Sequence, residues 1–104
     1  MKDVTGILGL AARARKTATG EIVYTQLRAR HVHLLILAED IGDNAKKKLN
    51  DKCSFYKVPC VYMDGALMNM AIGDRNRKAI AILDKGFAHE KSILFYFHFS
   101  SCYN

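Results

Sequence analysis

The sequence predicts an alternating α/β domain built around one buried strand. Leu34, Leu35, Ile36 and Leu37 form an unbroken apolar run of strand length inside the stretch Val32 to Asp40. A strand without alternation is expected to be buried on both faces, as in the middle of an α/β sheet. The second observation is order. Stretches with helical apolar spacing alternate with short β-prone stretches, each bounded by turn or cap residues, which is the pattern of an α/β fold. At 104 residues, 50% of them hydrophobic, the chain makes one domain with one core.

Taken from the N-terminus, Val4, Ile7, Leu8, Ala11 and Ala14 recur at helical spacing, and Asp3 can cap that helix. Gly6 and Gly9 weaken it, so close approach to a neighbour is expected there. Arg13, Arg15 and Lys16 fall at its end, where they complement the helix dipole and can also meet phosphate. Thr17 to Thr19 is β-prone. A second helix follows from Glu21 to about Arg30, capped by Thr19 or Gly20, with Glu21 in its first turn and Val23 and Leu27 inward.

The central strand stops at Glu39 and Asp40. Gly42, Asp43 and Asn44 then supply turn and cap chemistry for a helix from Asn44 to about Phe55. Ala45, Leu49, Cys53 and Tyr56 make its buried stripe. Lys46, Lys47 and Lys48 are consecutive and spread around it as a solvated face. Pro59, the single proline, marks entry to a strand from Cys60 to Met63. Asp64 caps a helix from Ala66 to Ile72, which Gly73 ends. Met63, Met68 and Met70 read as core filling. Asp74, Arg75, Asn76, Arg77 and Lys78 form a basic loop of the kind that carries binding. Ala79 to Leu83 is a short buried strand, and Asp84 caps the last helix. The tail from Ile93 to Phe99, ILFYFHF, carries four aromatic residues and is expected to pack on its own domain or on a second copy.

The formal charge is +6. Residues 1–30 carry six basic and two acidic side chains, while residues 31–60 and 61–104 each carry five against four. A basic N-terminal third points to a polyanionic partner, most often nucleic acid, or to a solvated surface. Cys53, Cys60 and Cys102 show neither zinc nor disulfide spacing and read as reduced thiols of a cytoplasmic protein. No apolar signal core and no run of membrane-spanning length is present, so no membrane association is expected.

Enzyme chemistry has no sequence support. There is no Gly-rich nucleotide loop and no nucleophile elbow. His31 and His33 flank the central strand, but no carboxylate or cysteine set completes a metal site with them. Glu39 and Asp40 sit where an acid/base pair can live, though turn and capping roles suffice. No cofactor is expected. Free helix N–H groups attract phosphate oxygens, so the turn Thr19, Gly20, Glu21 is the first candidate RNA contact, with Arg28 and Arg30 one face further along.

The stretches GLAARARK, TGE, LLILAEDIGDNAKKKLNDKC, YKVP and AIGDRNRKAIAILDKGFA occur in this order. Over about residues 3–88 the chain resembles the YlxQ-type bacterial branch of the ribosomal protein L-seven-Ae superfamily. The resemblance implies a three-layer α/β/α sandwich around a four-stranded mixed sheet. It also implies RNA binding, with kink-turn RNA as the usual target. It places the two RNA grips at the Gly-led start of the second helix, matching Gly20, and in the loop before the last strand, matching Asp74 to Arg77, side by side in space. Where the superfamily often has Asn-Glu and then Lys, this chain has Ile22, Val23 and Gln26. Ile and Val cannot bond base edges, which removes roughly 1–3 kcal/mol of discrimination per lost bidentate pair. A usual basic residue between third strand and helix aligns with Gly65. Attraction through Arg13, Arg15, Lys16, Arg28, Arg30, Arg75 and Arg77 remains.

The expected function is non-enzymatic binding of structured RNA, ribosomal RNA included, with the ribosome as a candidate assembly. Two other readings stand beside it. One is a protein–protein module that has kept the fold, with a homodimer through the aromatic tail. The other is a small-molecule-binding domain, which a pocket without a basic rim would favour.

Overall fold

The computed structural model describes residues 4–89. The expected Asp3 cap and the aromatic tail at 93–104 lie outside the described residues. The order is α1 (Val4–Arg13), β1 (Thr17–Thr19), α2 (Ile22–Arg28), β2 (Leu34–Ala38), α3 (Asp43–Tyr56), β3 (Cys60–Met63), α4 (Gly65–Ile72), β4 (Ala79–Ile82) and α5 (Lys85–Ala88). The strands form one mixed sheet in the order β1-β4-β2-β3. β4 runs antiparallel to both β1 and β2, and β2 runs parallel to β3.

Every residue of β2 is buried, as an unbroken apolar run requires. Its side chains alternate between two layers. Leu34, Ile36 and Ala38 join Ile7 and Leu8 of α1, Met68 of α4 and Ala88 of α5. Leu35 and Leu37 join Val23 and Leu27 of α2 and Leu49 and Cys53 of α3. The molecule is therefore a three-layer α/β/α sandwich, with each buried Leu or Ile contributing about 1.5–3 kcal/mol. Cys53 and Cys60 are buried free thiols in the second layer. The neighbouring Cys60 thiol and burial push the Cys53 thiol far above its ordinary range, so it stays protonated.

Topology gives the sheet two distinct ends. β1, β2 and β3 finish at the upper end, where β4 begins, with Thr19 beside Ile80 and Ala38 beside Met63. They start at the lower end, where Thr17, Ile82 and Leu34 stand abreast. α1, α2 and α3 each precede a strand that starts at the lower end, so their C-termini gather there.

Asp64 caps α4 by accepting from the Leu67 N–H at 3.0 Å, and Asp84 caps α5 by accepting from the Phe87 N–H at 3.0 Å. The second helix departs from expectation at both ends. Its N-cap is Glu21, without a side-chain cap bond, and it stops at Arg28 rather than Arg30. The stop has a cause. Arg30 takes the left-handed conformation at φ 62°, and the His31 N–H bonds back to the Gln26 carbonyl at 3.0 Å. α1 closes the same way through Arg15 at φ 61°, with Lys16 N–H to Ala11 O at 2.9 Å. α3 does so through Lys57 at φ 59°, with Val58 N–H to Cys53 O at 2.9 Å. Glycine is the usual residue at such a position. Among the described residues only α4 has one, Gly73 at φ 69°. α3 also starts one residue before the expected Asn44, at Asp43, with Gly42 as N-cap.

Candidate nucleic-acid interface

At the upper end the chain leaves β1 through Gly20, which turns left-handed at φ 65°. A Cβ at this glycine would stand 3.1 Å from the Arg77 Nη1 atom. The start of α2 and the loop between α4 and β4 are thus in contact. The glycine is needed twice, for its conformation and for the approach of the guanidinium.

The loop is fastened from below. The Asn69 side chain, on α4, donates to the Gly65 carbonyl at 2.8 Å and to the Arg77 carbonyl at 3.0 Å. It accepts from the Arg77 N–H at 2.9 Å. Asp74 folds the loop over itself, accepting from the Arg75 N–H at 2.7 Å and from Arg77 Nε at 2.9 Å. The Arg75 N–H first, and the Arg77 guanidinium second, hold the Asp74 carboxyl below the usual aspartate value. Asn76 takes the left-handed conformation at φ 57° between them. Lys78 reaches across to Asp40 at 2.8 Å, and that hydrogen bond lowers the Asp40 carboxyl too. The Asp40 Oδ1 atom would lie 3.0 Å from a Cβ at Gly65. The sequence places glycine where the family resemblance expects a basic residue, and Lys78 brings a cation to that same corner.

Between α2, α3 and this loop lies an open hollow of about 220 Å³. Val23, Tyr24, Ile41 and Ala45 give it apolar lining, and Gly20, Glu21, Asn76, Arg77 and Lys78 give it polar lining. One side is apolar and the other polar, with the cations Arg77 and Lys78 beside the acid Glu21. Such a hollow suits a flat ring attached to an anionic chain better than a neutral small molecule. Lys48 and Lys52 of α3 lie 5.1 and 6.0 Å from the Tyr24 ring centroid.

The sequence-predicted residues do not all meet here. Thr19, Gly20, Glu21, Asp74, Arg75, Asn76 and Arg77 share the upper end. Gln26 is half-buried and paired with the exposed His31 ring at 2.9 Å. Arg13 stands at the end of α1 beside Met70 and Gly73 of α4. Arg28 and Arg30 are at the far end of α2 rather than one face further along, because the helix runs away from Gly20 toward the start of β2. Lys16 is at that lower end also, its carbonyl accepting from the Leu83 N–H at 2.7 Å. Ile22 is exposed, but Val23 is buried at 1% and faces the core.

Asn69 and Tyr24 line or support this candidate site and were not singled out from sequence, whereas Lys78 was read there as part of the basic loop. Asn69 carried a faint signal, as a lone amide inside the apolar stretch Leu67 to Ile72. Among the described residues no group of three His, Cys, Asp or Glu side chains could hold a metal ion, and no helix is long and apolar enough to cross a membrane.

Comparison with known proteins adds to this geometry. Residues 2–92 match the model of the ribosomal protein L7Ae/L30e/S12e/Gadd45 family. The RNA-binding protein YlxQ of Bacillus subtilis (strain 168) is 41% identical over 86 residues, which cover 81% of this chain and 86% of that protein. The RNA-binding protein YlxQ of Enterococcus faecium is 39% identical over 84 residues, covering 79% of this chain and 81% of that one. A solved structure of a protein with unknown function from Bacillus halodurans C superposes with a TM-score of 0.80 at 39% identity, covering 84% of this chain and 90% of that chain.

Proposed function

The chain belongs to the ribosomal protein L7Ae/L30e/S12e/Gadd45 family, in its YlxQ-type branch, and from that premise we propose that it is a non-enzymatic RNA-binding protein. Its ligand is structured RNA of the kinked type, ribosomal RNA included, gripped at the upper end of the sheet. One observation carries the reading: the Arg77 guanidinium lies against Gly20, so two segments 57 positions apart in sequence close one hollow with apolar residues on one side and two cations on the other. The names of the two relatives, both RNA-binding proteins, agree with it.

The side chains define how such binding works. Arg75, Arg77 and Lys78 supply phosphate contacts, and the apolar side of the hollow accepts a base that has left its stack. Ile22 and Val23 offer no hydrogen bonds to base edges, so shape and backbone dominate over direct readout. The two cations beside the hollow favour this reading over binding of a neutral small molecule.

The test is a titration of wild type and the Arg75→Ala, Arg77→Ala double variant against a kink-turn RNA and a plain duplex at two salt concentrations. Wild type is expected to prefer the kink-turn, with the preference surviving at the higher salt. The double variant is expected to bind more weakly, with a salt slope shallower by about 0.7–0.9 for each lost phosphate contact. Unchanged affinity and slope would remove the proposed grip. Equal, salt-labile binding of both RNAs by wild type would leave only a basic surface on this fold.

A further inference from the structure

The positive charge of this protein is not concentrated at the upper end. There Glu21, Glu39, Asp40, Asp43, Asp64 and Asp74 surround Arg75, Arg77 and Lys78, two of which are already in ion pairs. The lower end gathers Arg15, Lys16, Arg28, Arg30, Lys57 and Lys85, with Asp84 as the acid among the described residues of these turns. The asymmetry follows from topology, since three helices end there and each closes on a cation in the left-handed conformation. Dipole complementation accounts for a cation at a helix end. It does not account for the ring beside them. Phe55 is 71% exposed in the last turn of α3. It meets Tyr56 edge-on, with centroids 4.9 Å apart, and the Arg30 guanidinium stacks over Tyr56 at 5.1 Å.

Cations and rings continue along the seam of α2 and α3. Tyr24, in the upper hollow, is flanked by Lys48 and Lys52, and one turn further come Tyr56, Arg30 and Phe55. From Lys48 to Lys57 the track covers about nine residue steps at the end of α3, so it is about 14 Å long at 1.5 Å per residue. Rings for stacking interleaved with cations for phosphate are the chemistry that holds an unpaired nucleic-acid strand.

We propose that the α2–α3 seam and the lower end form a second RNA surface, which takes a single-stranded segment continuous with the structured RNA held at the upper end. Phe55 stacks an unpaired base, and Arg30, Lys52 and Lys57 meet its backbone. This inference rests on the RNA-binding reading above and adds the class of RNA: a kinked helix with an unpaired flank.

The test uses the full chain and kink-turn RNAs, bare or extended by a single strand at one end or the other. Two variants probe the surface. Phe55→Ala removes an exposed ring. Arg30→Gly with Lys57→Gly removes two cations while giving each left-handed position its preferred residue, so the fold is retained. For wild type, one of the extensions tightens binding by about fivefold to a hundredfold, the worth of one stacked base. Both variants lose that gain and bind the bare RNA as wild type does. Arg75→Ala with Arg77→Ala weakens both RNAs. The second surface is overturned if neither extension adds affinity, or if the variants bind the extended RNA as well as wild type does. The latter result, with a protein captured by wild type and not by the variants, would assign the surface to an acidic protein. No binding of any RNA by wild type would overturn the RNA reading itself, and this inference with it.

Discussion

Asn69 shows how one amide fixes the loop proposed to bind RNA. It gives two hydrogen bonds and receives one, and all three partners are backbone groups of residues 65 and 77. A loop rich in exposed polar residues has little apolar contact to hold it. The amide replaces that contact and sets where Arg77 begins. Asn69→Ala leaves the Arg77 N–H and carbonyl without these partners, at a cost of about 1–3 kcal/mol. The expected outcome is a lower midpoint in urea together with weaker RNA binding, although every cation is still present. Asn69→Asp is the companion variant: it keeps the acceptor for the Arg77 N–H but turns an anionic oxygen toward the Gly65 and Arg77 carbonyls, so it is expected to be at least as damaging as Ala. An Ala variant that binds RNA as wild type does would show that the loop holds itself in place through Asp74. The role of Asn69 was hidden in the sequence because its partners become neighbours only when α4 and β4 are both in place.

At the scale of elements, most boundaries were legible because they are chemically local. Asp64, Gly73 and Asp84 cap or close the helices they were expected to, since a side chain and a backbone group three residues apart decide the matter. The end of α2 was not legible. Arg30 in the left-handed conformation is uncommon, and nothing near it in sequence announces the turn. The same argument covers the close approach expected at Gly6 and Gly9. Gly6 is exposed, whereas a Cβ at Gly9 would stand 3.0 Å from the Ala71 carbonyl oxygen. That atom is backbone, so relief requires α1 and α4 to separate. Gly9→Ala is expected to cost about 1–3 kcal/mol by overpacking, against the gain in helix propensity. Chemical denaturation measures it directly. An increase in stability would mean that the two helices slide apart without loss.

The whole molecule explains which candidate residues the sequence could group and which it could not. The family resemblance put Gly20 beside the loop at 74–77, and the sheet order β1-β4-β2-β3 explains their contact, since β4 lies between β1 and β2. Arg28 and Arg30 looked close to Gly20 because they follow it in the chain. The same topology carries them to the opposite end. Rigidity between the ends matters for any RNA that touches both, and it comes from β2, whose side chains enter both layers. If one strand joins the layers, neither should melt alone. Ile36→Ala empties part of the first layer, and Leu35→Ala part of the second, each at about 2–5 kcal/mol. Both variants are expected to unfold in a single step, with helical circular dichroism and tyrosine fluorescence changing at the same denaturant concentration. Three of the five tyrosines, at 24, 56 and 62, pack against the second layer, so with Tyr96 and Tyr103 replaced by Phe the fluorescence reports that side. Fluorescence lost before the helical signal in Leu35→Ala would show that α2 and α3 detach while the rest stays folded. The two proposed RNA surfaces would then be joined by a flexible layer rather than a rigid one.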